Sequence, residues 1–252
     1  HFGANKPIVS ITTGDALAWR RYLLKQKLSE NTVRRRTANA KLFFGDAVDR
    51  EVLERNPFKH KKLPTAVQRV EDRQHFIDRD VAQKVLDACP DAQWRLLFAL
   101  SRYGGLRCPS EHLALQWGDV MWEANKIRVP SPKTEHHPGG AYRVIPLFDE
   151  LRGPLQAVYD ELLEDFDPKR KRLSEQPVIT RYRDPNANLR TQLLRIIKRA
   201  GVQPWPKLFH NLRSSRQTEL EEQFPSHVVC SWIGNSEAVA RKHYLQVTDD
   251  HF

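Results

Sequence analysis

Between Lys126 and Leu147 the chain alternates apolar and polar residues twice, in "KIRVPS" and "YRVIPL", on either side of the turn-rich stretch "PKTEHHPGGA". A period of two marks strands, and two such runs around prolines and glycines mark a strand, a turn and a second strand. Elsewhere the apolar period is helical. "DALAWRRYLLKQKL" sets Trp19, Tyr22 and Leu23 at helical spacing, and "SENTVRRRTANAKLFFGDAVDREVL" opens on Ser29 as an N-cap and places Val33, Ala40, Phe44, Ala47 and Val48 along one face. A second helical region begins at Asp78 with "DRDVAQKVLDACP", and the apolar run "WRLLFALSRYGG" follows it. The pattern predicts a mainly α fold with a small antiparallel β-sheet.

After "NPF" at residues 56–58, "KHKKLPTAVQRVEDRQHF" is basic, contains proline and keeps no apolar period, which identifies a linker. The expected organisation is a helical domain over residues 1–58, a basic linker over 59–75 and a larger α+β domain over 76–252. Charge follows the same division. Residues 1–75 hold 16 basic and 8 acidic side chains, whereas residues 76–252 hold 25 and 23, so eight of the ten surplus positive charges lie in the first part. Such a field favours a polyanion, of which nucleic acid is the common case, although a solvated basic surface produces the same total. On the helix that follows Ser29, Arg35 falls opposite the apolar stripe, with Arg34 and Lys41 toward its edge. Arg34, Arg35, Arg36 and Lys41 are therefore the candidate phosphate contacts.

Several classes of function are disfavoured. The three cysteines, Cys89, Cys108 and Cys230, are odd in number and far apart, which fits neither a disulfide framework nor a four-ligand zinc site. His136 and His137 are adjacent but lack a metal-binding spacing, and no phosphate-binding glycine loop occurs, so no metal and no cofactor are expected. No run of 18 apolar residues and no signal-peptide pattern occurs, which reads as a soluble, cytoplasmic protein without membrane association. The chain opens on a histidine rather than a methionine and reads as an excised fragment.

Four segments of the larger domain carry the chemistry: "YGGLRCPSEHLALQWGD", "SPKTEHH", "FHNLRSSR" and "WIGNSEAVARKHY". In this order they resemble the catalytic domain of the tyrosine recombinases, the phage integrase family. That family has an arginine after a glycine-leucine pair, a lysine on a β-hairpin, an H-x-L-R segment opening a helix, and a nucleophilic tyrosine nine residues beyond the histidine of an L-G-H-S-like box. Any one of these arises by chance in many proteins; the ordered set does not. The resemblance implies Arg107 as first arginine, Lys133 as hairpin lysine, His210 with Arg213, Asn235 at the box's histidine position and Tyr244 as nucleophile. It also implies that residues 1–58 form a helical, SAM-like core-binding domain, that the partner is double-stranded DNA held by a homotetramer on two duplexes, and that the protein is nucleoid-associated.

These residue types suit one reaction. A phosphodiester under attack gathers charge on its non-bridging oxygens, which two arginine forks stabilise. A DNA 5′ oxygen leaves only when protonated, a role for Lys133. A phenol attacks efficiently when a neighbour accepts its proton or cations favour the phenolate, and His210 and the arginines offer both. The implied product is a 3′-phosphotyrosine, whose ester stores the energy needed to rejoin the strand without ATP or metal.

Two departures from the family pattern stand near this set. Asn235 replaces a histidine or tryptophan; its amide can donate a hydrogen bond but cannot carry a proton. Glu111 lies four residues after Arg107 where three is common, with Pro109 between them at the predicted first turn of a helix. The chain also ends only eight residues after Tyr244. Two other readings use much of the same sequence: a type IB-like topoisomerase, and an architectural or regulatory DNA-binding protein whose site has decayed at Asn235.

Overall fold

The computed structural model describes residues 1–3, 5–67, 73–133, 135–136, 139–164, 167, 172–184 and 188–246. The chain divides into two compact units, His1–Arg69 and Val70–Phe252.

In the first unit, helix α1 (Thr13–Lys25) starts with a capping box: the Thr12 hydroxyl accepts from the Asp15 N–H and the Asp15 carboxylate accepts from the Thr12 N–H. Helix α2 (Glu30–Asp49) is capped by Ser29, whose hydroxyl accepts from the Thr32 N–H at 3.3 Å. Each such cap is worth about 1 kcal/mol. The core is small. Ala16, Phe44, Phe58 and Leu63 are buried together, with the Phe44 and Phe58 rings 4.9 Å apart and Trp19 edge-on to Phe58 at 5.4 Å. Leu63 belongs to that core, so the first part of the stretch read as a linker packs within this unit; residues 68–72 lie outside the described residues.

The second unit contains helices α3 (Arg79–Asp87), α4 (Ala92–Arg102), α5 (Ser110–Ala114), α6 (Asp149–Glu164), α7 (Leu189–Arg199), α8 (Leu208–Glu221), α9 (Ser226–Ile233) and α10 (Glu237–His243). Its sheet has the order β1 (Val120–Met121), β2 (Lys126–Pro130), β3 (Tyr142–Pro146), antiparallel throughout. Two strands are the alternating runs; β1 is only two residues long, too short for alternation to register. In the β2–β3 register Ile127 faces Ile145 and Val129 faces Arg143, and all four side chains are buried. An arginine thus occupies a core-facing position of β3.

Helix α4 is buried from Gln93 to Arg102 at every position except the exposed Arg95, which explains why its sequence has no continuous polar face. Helix α8 is buried from Asn211 to Glu219 despite eight polar or charged side chains in that stretch. Its charges are therefore paired: Glu219 accepts a forked contact from Arg102, and Arg216 lies 3.4 Å from Glu219 and 3.6 Å from Glu150. Pro109 is the residue before α5, not within its first turn. Among the described residues no helix is long and apolar enough to cross a membrane.

Candidate active site

The end of helix α9 organises the site. A helix terminus leaves its last carbonyls without intrahelical partners and carries the negative end of the helix dipole. Here three successive carbonyls each accept from a different arginine. The Trp232 carbonyl accepts from Arg143 Nε at 2.6 Å, the Ile233 carbonyl from Arg213 Nη2 at 2.5 Å, and the Gly234 carbonyl from Arg107 Nη2 at 2.5 Å. Residues far apart in sequence converge because one helix end needs donors and they are donors.

Gly234 makes the convergence possible. It caps α9 at φ 76°, a left-handed conformation that favours glycine, and a Cβ there would lie 3.0 Å from Arg143 Cδ. Trp232 itself turns away, its ring packed 4.9 Å from Phe224 and 6.0 Å from Phe148.

One carboxylate bridges the three cations. Glu111, only 1% exposed, accepts from the Arg107 backbone N–H at 2.7 Å and from Arg107 Nη1 at 2.5 Å. From the other side Arg143 donates to both of its oxygens, at 2.7 and 2.8 Å, and Arg213 Nη1 lies 3.7 Å away. The four-residue spacing from Arg107 to Glu111 thus forms an i, i+4 ion pair. Burial alone would raise the Glu111 carboxyl, but hydrogen bonds from Arg143 and the charges of Arg143, Arg213 and Arg107 hold it down at about 2. Three guanidiniums against one carboxylate leave a net positive site. The Arg107 side chain is 21% exposed, against 7% for Arg143 and 3% for Arg213, so Arg107 is the cation most open to a ligand.

Helix α8 presents His210 and Arg213 one turn apart. Arg213 also donates to the Gly105 carbonyl at 2.5 Å, and burial lowers its guanidinium to about 10. The Tyr244 ring lies 4.9 Å from the His210 ring and 5.6 Å from the Arg213 guanidinium carbon, just past the end of α10. Its backbone is tied down by the bonds Tyr244 N–H to Ala240 O and Ser214 Oγ–H to Tyr244 O. His210 Nε2 faces the His243 carbonyl at 3.3 Å, a contact in which the imidazole must donate, so Nδ1 is the acceptor nitrogen of the neutral ring. Burial lowers the His210 imidazole and favours that neutral form.

The remaining named residues are placed as follows. Asn235 follows Gly234 directly, and its Nδ2 donates to Gln217 Oε1 at 2.9 Å, while its Oδ1 is buried without a partner. Gln217 Nε2 donates to Glu221 at 3.3 Å, which fixes which end of each amide faces the other. Lys133 is exposed in the turn between β2 and β3 and forms no hydrogen bond or ion pair with the other site side chains among the described residues. In the first unit Arg35, Arg36 and Lys41 are exposed on α2. Arg34 is engaged instead, donating to Glu30 and to the Ala66 carbonyl, each at 2.8 Å.

Sequence reasoning missed Arg143 and Gln217. The signal for Arg143 was present: a charge on the same face of a strand as Ile145. Gln217 had none, since its role depends on a residue 18 positions away.

Residues 75–251 match the model of the phage integrase family. The ICEBs1 integrase of Bacillus subtilis (strain 168) is 25% identical over 193 residues, which are 70% of this chain and 50% of that protein. A tyrosine recombinase XerC-like protein of Caldanaerobacter subterraneus is 30% identical over 110 residues, 42% of this chain and 28% of its own length. The chain thus spans half or less of these curated relatives. Among solved structures, the Tn1549 transposon integrase in complex with transposon right end DNA has a TM-score of 0.72 at 18% identity, covering 97% of this chain and 84% of the other. A lambda integrase dimer bound to a COC′ core site has 0.69 at 19%, covering 96% and 67%.

Proposed function

Since the chain belongs to the phage integrase family, we propose that it is a site-specific DNA recombinase that cleaves and rejoins strands through Tyr244. The observation that carries the reading is the placement of the Tyr244 ring against both His210 and Arg213, beside the arginines gathered at the end of α9. Arg107 and Arg213 would hold the non-bridging oxygens of the scissile phosphate. The Tyr244 oxygen attacks phosphorus as its proton passes to His210 Nδ1, and the bond from phosphorus to the 5′ oxygen breaks as Lys133 protonates that oxygen. The products are a 3′-phosphotyrosine and a free 5′-hydroxyl, and reversal on a new 5′-hydroxyl completes exchange.

Double-stranded DNA as partner, the exposed α2 cations Arg35, Arg36 and Lys41 as phosphate contacts, and a homotetramer on two duplexes belong to the same proposal. The test is a nicked suicide duplex, on which the full chain is expected to form an adduct that survives boiling in detergent. Tyr244→Phe should abolish the adduct while leaving DNA affinity nearly intact. Adducts formed by the phenylalanine variant at the wild-type rate would refute the assignment, and a wild type that binds DNA without forming adducts would favour an architectural protein.

A further inference from the structure

We propose that Arg143 is a positioning residue for strand cleavage: from β3 it clamps Glu111 and the end of α9 together, and so leaves Arg107 aimed at the phosphate. The inference rests on the recombinase reading above. None of the sequence motifs includes Arg143, and its side chain, 7% exposed, does not itself reach out to a ligand.

Its bonding partners define the role. The forked pair of bonds to Glu111 uses Nη1 and Nη2, Nε is used by the Trp232 carbonyl, and Nη1 also reaches Ser131 Oγ at 3.2 Å. Its Cδ approaches Gly234, where no Cβ intervenes. Three separate elements therefore meet on one planar group: α5 through Glu111, α9 through Trp232, and the β2–β3 hairpin through Ser131. Ser131 N–H in turn donates to the Ala141 carbonyl at 2.8 Å, closing the base of the turn in which Lys133 sits.

The electrostatic consequence is specific. Glu111 shares its two oxygens between Arg107 and Arg143. Take Arg143 away and, among the described residues, the carboxylate keeps Arg107 and Arg213 as its cationic partners. A buried carboxylate needs donors, so it draws the Arg107 guanidinium inward and neutralises the charge that a phosphate would meet. Arg143 supports the reaction by occupying the acid, not by touching substrate. A lysine cannot substitute, because a single ammonium lacks the planar fork that spans both oxygens and the Trp232 carbonyl.

The experiment uses the full chain on a nicked suicide duplex and measures DNA affinity and single-turnover cleavage separately. Arg143→Met is expected to bind DNA within about threefold of wild type and to cleave slower by a factor on the order of 10², the usual loss when a transition-state donor is misplaced. Arg143→Lys is expected to cleave at least about tenfold slower at unchanged affinity. A loss of packing alone would lower folded fraction, binding and cleavage together, and that pattern would overturn the proposal. Should the methionine variant fail to fold, the lysine variant decides, and wild-type cleavage by it overturns the proposal. Wild-type protein that forms no adduct overturns the recombinase reading itself, and the role of Arg143 with it; adducts from wild type with unimpaired Arg143 variants overturn the role alone.

Discussion

At the scale of single residues, Asn235 departs most from the family pattern. One of its amide hydrogens goes to Gln217, and under the proposed recombinase reading the second N–H is the one offered to a phosphate oxygen. Asn235→Ala should slow cleavage by a factor on the order of 10². Gln217→Ala, which frees the amide to rotate, should slow it by less, and a greater loss for Gln217→Ala than for Asn235→Ala would contradict that order. Two neighbouring groups give a pH dependence. Burial holds the His112 imidazole at about 4, below its ordinary 6.5, and the buried Glu111 carboxyl lies at about 2, below 4.5. In both cases the unfolded chain binds protons more readily, so their stabilisation is full above pH 6.5 and shrinks on acidification. His112 loses its part as pH falls from 6.5 through 4, and Glu111 as it falls from 4.5 through 2. Chemical denaturation followed against pH should show Glu111→Gln flattening the lower window and, because the Glu111 charge raises the His112 imidazole, extending the His112 window to lower pH.

At the scale of elements, the end of α9 and the outer face of α2 make different demands. Gly234→Ala adds a Cβ against Arg143 in a left-handed conformation. It should destabilise the protein by about 1 kcal/mol or more and slow cleavage, since it presses on the arginine that holds Glu111. Thermal melting and adduct kinetics on the same sample check both effects. On α2, neutralising Arg35, Arg36 and Lys41 together should reduce the salt slope of DNA binding by about three, one for each phosphate no longer neutralised. Arg34→Gln should change it less, because Glu30 and the Ala66 carbonyl already engage that guanidinium. A slope unchanged by the triple substitution would make the α2 charge a solvated surface.

At the scale of the whole molecule, charge is divided more sharply between the compact units than between the domains expected from sequence. Residues 1–69 carry 15 basic and 6 acidic side chains, and residues 70–252 carry 26 and 25, so nine of the ten surplus charges belong to the first compact unit. Removing residues 1–69 should therefore weaken DNA binding and strip most of its salt dependence, while Tyr244, His210 and the α9 arginines all remain in the second unit. Fluorescence anisotropy across a salt series measures the slope directly. Equal slopes for the two proteins would place the DNA-binding charge in the second unit.

The sequence by itself determined what is local. Helical and strand periods, the N-cap at Ser29 and the helix start at Asp78 follow from short-range sterics and hydrogen bonding, and they can be read one segment at a time. Tertiary structure decided what depends on facing. A period of two puts Arg143 on the same face of β3 as Ile145 but does not say which face turns inward; the pairing of Arg143 with Val129 on β2 places it in the core. The family resemblance names Arg107 and Arg213 but does not show that the Gly234 and Ile233 carbonyls accept from them. The partner of Asn235 likewise appears only when α8 and α9 pack. In each case the deciding contact joins groups far apart in the chain, brought together because buried donors and acceptors must find each other.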